Sequence, residues 1–166
     1  MLISTPEQAI RTLEIAKEEE IAAPLEVVFE TLLEHLGPLN ETGPRSPLPM
    51  KLEPWPGGRW YRDLGNNAGH FWGHVQVIKP PTLLEISGPL FMSYPAVSHV
   101  QYRLRAEGKV TRLTLAHRAI GQIIPEHKDV GEGWNHLLRR IREAAERRSG
   151  VSRGGRQSRS TGMSDE

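Results

Sequence analysis

The stretch GEGWNHLLRRIREAAERR, residues 131 to 148, decides the fold because it predicts one amphipathic helix long enough to cover a whole sheet. Its apolar residues recur at spacings of three and four, and charged residues take the other face. The apolar face comprises Val130, Trp134, Leu137, Leu138, Ile141 and Ala145, and the charged face Arg139, Arg140, Arg142, Glu143 and Glu146. Because strand-like segments precede it, this helix predicts a curved sheet that grips it, with a cavity between them.

The segments before this helix alternate apolar and polar residues from Met50 onward, which is typical of strands. Turns are predicted at 56–58, 65–67, 80–81 and 107–108, since these positions combine proline, glycine and asparagine. They delimit strands at 50–54, 59–64, 70–79, 82–88, 97–106 and 110–119.

Two of these turns also predict a hairpin register. Pairing residue 106 with 111 places Val100 opposite His117, Tyr102 opposite Leu115 and Leu104 opposite Leu113. Pairing 78 with 83 places Phe71, Val75 and Val77 on the same side as Leu84 and Ile86. In both hairpins the apolar side is predicted to face inward.

The first third of the chain predicts a strand, a short helix and a long loop. Residues 11–21 place Leu13 and Ile15 on one side, as in a half-buried strand. Proline suits the first helical turn, so a helix is predicted from Pro24 to Leu36. The four prolines and two glycines of 37–50 indicate an ordered loop of the kind that often rims a pocket.

Composition limits the class of protein. A length of 166 residues with 37% hydrophobic and 25% charged residues fits one globular domain, which we assign to 1–148. Cysteine is absent, so disulfides and thiolate chemistry are excluded. No signal peptide and no stretch of about 20 apolar residues is present, so we expect a cytoplasmic protein with no membrane insertion.

The charge is unevenly distributed. Residues 147–166 hold five arginines against Asp165 and Glu166, which leaves 16 basic and 18 acidic residues in 1–146. No nucleic acid is therefore expected on the folded body. The Arg-, Ser- and Gly-rich tail 149–166 has almost nothing to bury and is predicted to be disordered.

Four local patterns in a fixed order carry a family resemblance: IAAPLEVVFETL at 21–32, PGGRW at 56–60, GHVQVIKPPTLLEI at 73–86 and GWNHLLRRI at 133–141. Over about 11–148 the chain resembles the SRPBCC, or START-like, superfamily. Within it, the chain is similar to stand-alone bacterial domains like the C-terminal domain of the activator of the ninety-kilodalton heat-shock-protein ATPase. The loop 37–50 lacks the tryptophan that relatives often carry after the first helix.

The resemblance implies an α+β helix-grip fold of about six to seven antiparallel strands, with a cavity that in relatives holds apolar molecules. Relatives also include enzymes and co-chaperones, so the fold alone does not give the function. We expect a small apolar or aromatic ligand and no cofactor. The ligand-binding residues predicted from the sequence are Trp60, Phe71, Phe91, Tyr102, His117 and Trp134, with Arg59 or Arg62 as a further polar contact.

The histidines of the fourth strand predict a surface contact instead of a metal site. His70 and His74 would share one face but lie about 13 Å apart at a strand rise of about 3.3 Å per residue, too far for a simple metal pair. With Trp72 between them they are expected to form an exposed outer stripe, which is compatible with a homodimer contact.

Two other functions stay open at this point. An enzyme of cyclase, aromatase or hydrolase type would use Tyr102, His117 and an arginine as its acid, base and anion-holding groups. A co-chaperone-like interaction module is suggested only by the family name. No G-x-S-x-G, P-loop or G-x-G-x-x-G motif is present, so the hydrolase and nucleotide-binding classes that use them are not indicated.

Overall fold

In the computed structural model, which describes residues 9–92, 95–124 and 130–151, seven strands and two helices form an α+β fold. The elements are β1 (Arg11–Ile21), α1 (Leu25–Leu36), β2 (Lys51–Leu52), β3 (Arg59–Gly65), β4 (Ala68–Lys79), β5 (Leu83–Gly88), β6 (Ala96–Glu107), β7 (Val110–Gly121) and α2 (Val130–Arg148). The predicted tail beyond Val151 lies outside the described residues. The strand predicted at 50–54 is shorter than expected, and the other predicted bounds agree within two residues.

The sheet is antiparallel throughout, in the order β1-β7-β6-β5-β4-β3-β2. One face packs against α2, whose apolar stripe is buried with the inner residues of the strands in one core. The predicted β6–β7 register is confirmed, since Val100 lies opposite His117 and Tyr102 opposite Leu115. The helix-grip architecture is therefore the observed one.

Helix α1 begins and ends where the sequence indicates. Pro24 occupies the N-cap position with an extended backbone, and the Gly37 N–H donates to the carbonyls of Leu33 and Glu34 at the other end. The loop that follows is held by short hydrogen bonds, among them Leu48 N–H to Asn40 O at 2.8 Å. It is therefore an ordered rim, as predicted.

The β4 strand departs from the predicted alternation because it contains a β-bulge at Trp72. Trp60 pairs with Gly73 but Tyr61 pairs with Phe71, so Trp72 is the extra residue. A bulge reverses the facing of the residues beyond it. The predicted inward orientation of Phe71 is therefore wrong: Phe71 is 43% exposed, whereas Trp72 packs against the core.

A second bulge corrects the predicted β4–β5 register. Pairing follows the prediction at Val75 and Ile86 but slips by one residue beyond Gln76. Val77 therefore lies opposite Glu85, and Ile78 packs against the core in its place. The predicted inward position of Val77 is wrong for this reason.

One residue of the predicted charged face of α2 is buried. Glu146 is 4% exposed, and its Oε1 accepts a hydrogen bond of 3.1 Å from the backbone N–H of Ala22, just after β1. The prediction of a solvent-facing Glu146 is wrong because this carboxylate satisfies a backbone donor between β1 and α1. This hydrogen bond connects the last turns of α2 to the residue that follows β1.

Candidate functional site

A cavity of about 620 Å³ lies between the sheet and the first turns of α2. Its walls come from the end of α1, the loop 37–50, strands β3 and β4, the segment after β5, and α2. The lining residues are Leu36, Asn40, Glu41, Thr42, Leu48, Trp60, Arg62, His70, Trp72, Phe91, Val130, Gly133, Trp134 and Leu137. This volume falls within the range of about 300 to 1,000 Å³ that is typical of small-molecule sites.

Four aromatic residues form a continuous wall of this cavity, called here the aromatic wall: Trp60, Trp72, Phe91 and Trp134. The ring centroids of Trp60 and Trp72 are 4.9 Å apart, those of Trp72 and Phe91 5.8 Å, and those of Phe91 and Trp134 6.4 Å. All three contacts are edge-to-face, the arrangement that aromatic quadrupoles favour. Three of the four residues are among those predicted from the sequence, and Trp72 was missed.

The backbone fixes the Trp72 bulge from both sides. The Leu90 N–H donates to Trp72 O at 2.8 Å, which also positions the adjoining Phe91. A Cβ on Gly88 would lie 2.5 Å from both Trp72 O and Gly73 Cα, so only glycine permits this approach of β4 and β5. The aromatic wall therefore depends on Gly88 as well as on its rings.

Trp60 ties the aromatic wall to α1. It is 1% exposed, and its indole Nε1–H donates to the Leu36 carbonyl at 2.7 Å. That carbonyl belongs to the last turn of α1, where backbone acceptors lack helical partners. The bond fixes the β3 side of the cavity to the helix.

Behind the wall, a hydrogen-bond chain holds Trp134. The Trp134 Nε1–H donates to His117 Nδ1 at 3.1 Å, and His117 Nε2 lies 3.0 Å from Ser98 Oγ. Because indole is only a donor, Nδ1 must accept, so Nε2 carries the proton and donates to Ser98. The Ser98 hydroxyl can then donate to Met92 Sδ at 3.9 Å. This chain requires a neutral imidazole, and burial lowers the pKa of His117 to about 4.

Tyr102 and His117 face inward as predicted, and neither lines the cavity. Both contact the Trp134 ring, with centroids 6.3 Å and 5.6 Å away. Burial raises the pKa of the Tyr102 phenol, and its hydroxyl has no hydrogen-bond partner among the described residues. The arrangement of these two side chains serves packing and orientation of Trp134, and it gives no support to their use as an acid–base pair.

Two polar residues of the cavity lining, Glu41 and Asn40, already have hydrogen-bond or ion-pair partners within the protein. Glu41 is 3.0 Å from His136 Nε2 and 3.3 Å from Arg140 Nε, so α2 holds the loop by two contacts to one carboxylate. Asn40 Nδ2 donates to Leu48 O at 3.1 Å. These groups shape the mouth of the cavity and have limited capacity left for a ligand.

The two arginines considered from the sequence are placed differently. Arg59 lies outside the cavity, paired with Glu53 at 2.7 Å and stacked 4.5 Å from the Tyr61 ring. That pairing lowers the pKa of Glu53 to about 2, mainly through the Arg59 hydrogen bonds. Arg62 lines the cavity and is half-buried.

His70 and His74 do not share a face, because the bulge lies between them. His70 pairs with Arg62 and lines the cavity, whereas His74 Nδ1 lies 3.0 Å from Gly57 O and its ring is 4.8 Å from that of Phe71. The predicted outer stripe of His70, Trp72 and His74 is therefore wrong, and the homodimer stays a prediction without this support. Within 9–92, 95–124 and 130–151, no group of three or more His, Asp or Glu residues could hold a metal ion.

The fold and cavity together define a helix-grip protein with an aromatic-walled pocket. The model of the family described as activator of Hsp90 ATPase homolog 1-like protein matches residues 22–146. The chain belongs to this family, and hence to the SRPBCC-type proteins that its sequence resembles. Among curated proteins no match is found.

Solved structures of bacterial proteins share the fold. One from Rhizobium leguminosarum is 18% identical, with a TM-score of 0.61 over 84% of this chain and 97% of that one. One from Nitrosomonas europaea is 19% identical, with a TM-score of 0.61 over 89% and 100%. One from Rhizobium loti is 18% identical, with a TM-score of 0.62 over 82% and 99%. At these identities the similarity shows the fold alone.

Neither helix of the described part of the chain is long and apolar enough to cross a membrane.

Proposed function

We propose that this protein binds a small apolar or aromatic molecule in the cavity between the sheet and α2. The observation that carries the proposal is the aromatic wall, four contiguous rings that border a space of about 620 Å³. Apolar and aromatic lining with a few polar groups at the mouth is the usual composition of a small-molecule site.

The surrounding contacts support a pocket held open before any ligand binds. Trp60 is fixed to α1 through Leu36 O, and Trp134 is fixed to the sheet through His117. Loop 37–50 is fixed to α2 through Glu41. Because these side chains are already ordered, a ligand would lose little affinity to ordering of the protein.

Gly133 offers a direct test. It lines the cavity, and a Cβ added there would meet no atom within 4 Å. Gly133→Leu should therefore fill space at the mouth without a backbone clash, and replacing a helical glycine also favours the helix by roughly 0.5 to 1 kcal/mol. Gly131→Leu is the matched control, since Gly131 is in the same helical turn but does not line the cavity.

The experiment is a fluorescence titration with N-phenyl-1-naphthylamine, a neutral apolar probe. The native protein and Gly131→Leu should bind it at a single saturable site, and Gly133→Leu should bind at least tenfold more weakly while melting at the same or a higher temperature. Equal binding by all three proteins would place the probe elsewhere and refute the proposal.

A further inference from the structure

We propose that the ligand of this cavity is an apolar or aromatic carboxylate whose anionic end is held by Arg62. This inference rests on the proposed function and adds the chemical class of the ligand. Beside the aromatic wall, the lining of the cavity includes the charged and polar residues Asn40, Glu41, Thr42, Arg62 and His70.

Arg62 is placed in the cavity by the sheet. It lies two residues after Trp60 on β3, so both side chains project from the same face. The His70 position lies directly opposite it on β4, and both residues line the cavity. The bulge at Trp72 is what brings His70 to this side of β4. Two nitrogen-bearing side chains therefore line the same cavity as the Trp60 and Trp72 rings.

The guanidinium of Arg62 has no ion pair or hydrogen bond with any residue of 9–92, 95–124 or 130–151. Two described carboxylates, Glu41 of the cavity lining and Asp63 next to Arg62 in the sequence, are engaged elsewhere. Glu41 contacts His136 and Arg140, and Asp63 is 2.9 Å from Lys51. A half-buried arginine without a partner in this described part of the chain retains its five donors for another group.

The chemistry of that group follows from the charge and geometry of arginine. A guanidinium binds a carboxylate through two parallel hydrogen bonds, and such charge-assisted bonds are stronger than neutral ones. A doubly charged phosphate would call for more than one cation, and Arg140, which contacts the lining residue Glu41, is already paired with that carboxylate. A monoanionic acid with an apolar or aromatic body therefore matches both ends of the cavity.

The test is isothermal titration with benzoic, 2-naphthoic and decanoic acids, each compared with its primary amide at pH 7.5. The amide keeps the shape and removes the charge. We expect at least one acid to bind the native protein about tenfold or more tightly than its amide, and this ratio should shrink as salt is raised because the site is partly exposed.

Arg62→Gln should bring the acid-to-amide ratio close to one. Arg103→Gln is the matched control, because it removes the same charge from an exposed position on β6 that is outside the cavity lining, and it should leave the ratio unchanged. A ratio that survives in Arg62→Gln would overturn the assignment of Arg62.

The outcomes separate this inference from the proposed function. Acids and amides that bind the native protein equally, and are both blocked by Gly133→Leu, would overturn the carboxylate inference and leave the cavity as the binding site. Failure of every acid to bind a protein that still binds N-phenyl-1-naphthylamine at the site blocked by Gly133→Leu would overturn the carboxylate inference alone. Failure of the naphthylamine as well, or binding of the acids that Gly133→Leu does not affect, would overturn both.

Discussion

The indole nitrogen of Trp134 donates a 3.1 Å hydrogen bond to Nδ1 of His117, and this contact joins the gripped helix to strand β7 of the sheet. His117 is fully buried and Trp134 is 6% exposed, so the bond is sheltered from water. One end of the pair lines the cavity and the other end sits in the core. Trp134 is therefore part of both the hydrophobic core and the wall of the cavity.

Truncating Trp134 should separate its two contributions. Trp134→Ala should cost about 3 to 5 kcal/mol of unfolding free energy, typical for loss of a buried aromatic ring. Trp134→Phe keeps a ring but leaves His117 Nδ1 without its donor, and should cost about 1 to 3 kcal/mol. Trp55→Ala is the control, since Trp55 is 53% exposed and its loss should change stability by no more than about 0.5 kcal/mol. Urea unfolding measures all three; equal values for Trp55→Ala and Trp134→Ala would refute the anchoring role.

Stability should fall as the pH is lowered from about 6.5 toward 4, and His117 should account for part of the loss. Its pKa is lowered to about 4 by burial, whereas an unfolded histidine titrates near 6.5. Between these values the unfolded chain takes up the proton first, so the stability present above pH 6.5 is lost as the pH falls through this window. The contribution is on the order of 3 kcal/mol at about 1.4 kcal/mol per pKa unit.

The measurement is the free energy of unfolding from pH 7.5 to 4 for the native protein and for His117→Gln. The variant should show a smaller decline over this window. Burial also lowers the pKa of His35, but that residue is present in both proteins and its effect cancels in the comparison. Parallel curves would show that His117 is not held neutral.

The bulge at Trp72 should depend on Gly88. In Gly88→Ala the new Cβ would lie 2.5 Å from Trp72 O and must displace backbone, so we expect a loss of about 1 to 3 kcal/mol and an altered near-ultraviolet circular dichroism of the tryptophans. Gly43→Ala is the matched control, because a Cβ there meets nothing within 4 Å. If both variants retain the native spectrum and stability, the bulge does not need glycine at 88.

The buried carboxylate of Glu146 should contribute to the joint between α2 and β1. Glu146→Ala leaves the Ala22 N–H without this acceptor and should lower stability by about 1 to 3 kcal/mol. Glu146→Gln retains an acceptor oxygen and should lose less, and Glu143→Ala on the exposed side of the same helix should have little effect. Thermal unfolding distinguishes them, and equal melting temperatures for the two alanine variants would contradict the role of Glu146.

Much of this fold could be predicted from the sequence because its signals are local. The spacing of Trp134, Leu137 and Ile141 predicts the gripped helix, and the turn at 107–108 fixes the β6–β7 register as observed. The bulge at Trp72 has no comparable local signal. It arises from contacts with Gly88 and Leu90 on neighbouring segments, which alternation along one strand cannot reveal.

That single bulge accounts for most of the errors at the candidate site. It turns Phe71 outward, brings Trp72 into the aromatic wall and moves His70 beside Arg62. The choice between Arg59 and Arg62 likewise depended on tertiary partners, since Glu53 engages Arg59 and no comparable acid reaches Arg62 within the described chain. Residue type was enough to indicate an aromatic lining, but the residues that line the cavity could be identified only from the structure.

The most direct test of a ligand-binding cavity is native mass spectrometry after incubation with the small-molecule fraction of a cell extract. The native protein, Gly133→Leu and Gly131→Leu would be compared, with any bound molecule released by denaturation and identified. We expect the native protein and Gly131→Leu to retain the same small organic acid and Gly133→Leu to retain none. A molecule retained equally by all three proteins, or none retained by the native protein, would contradict the account.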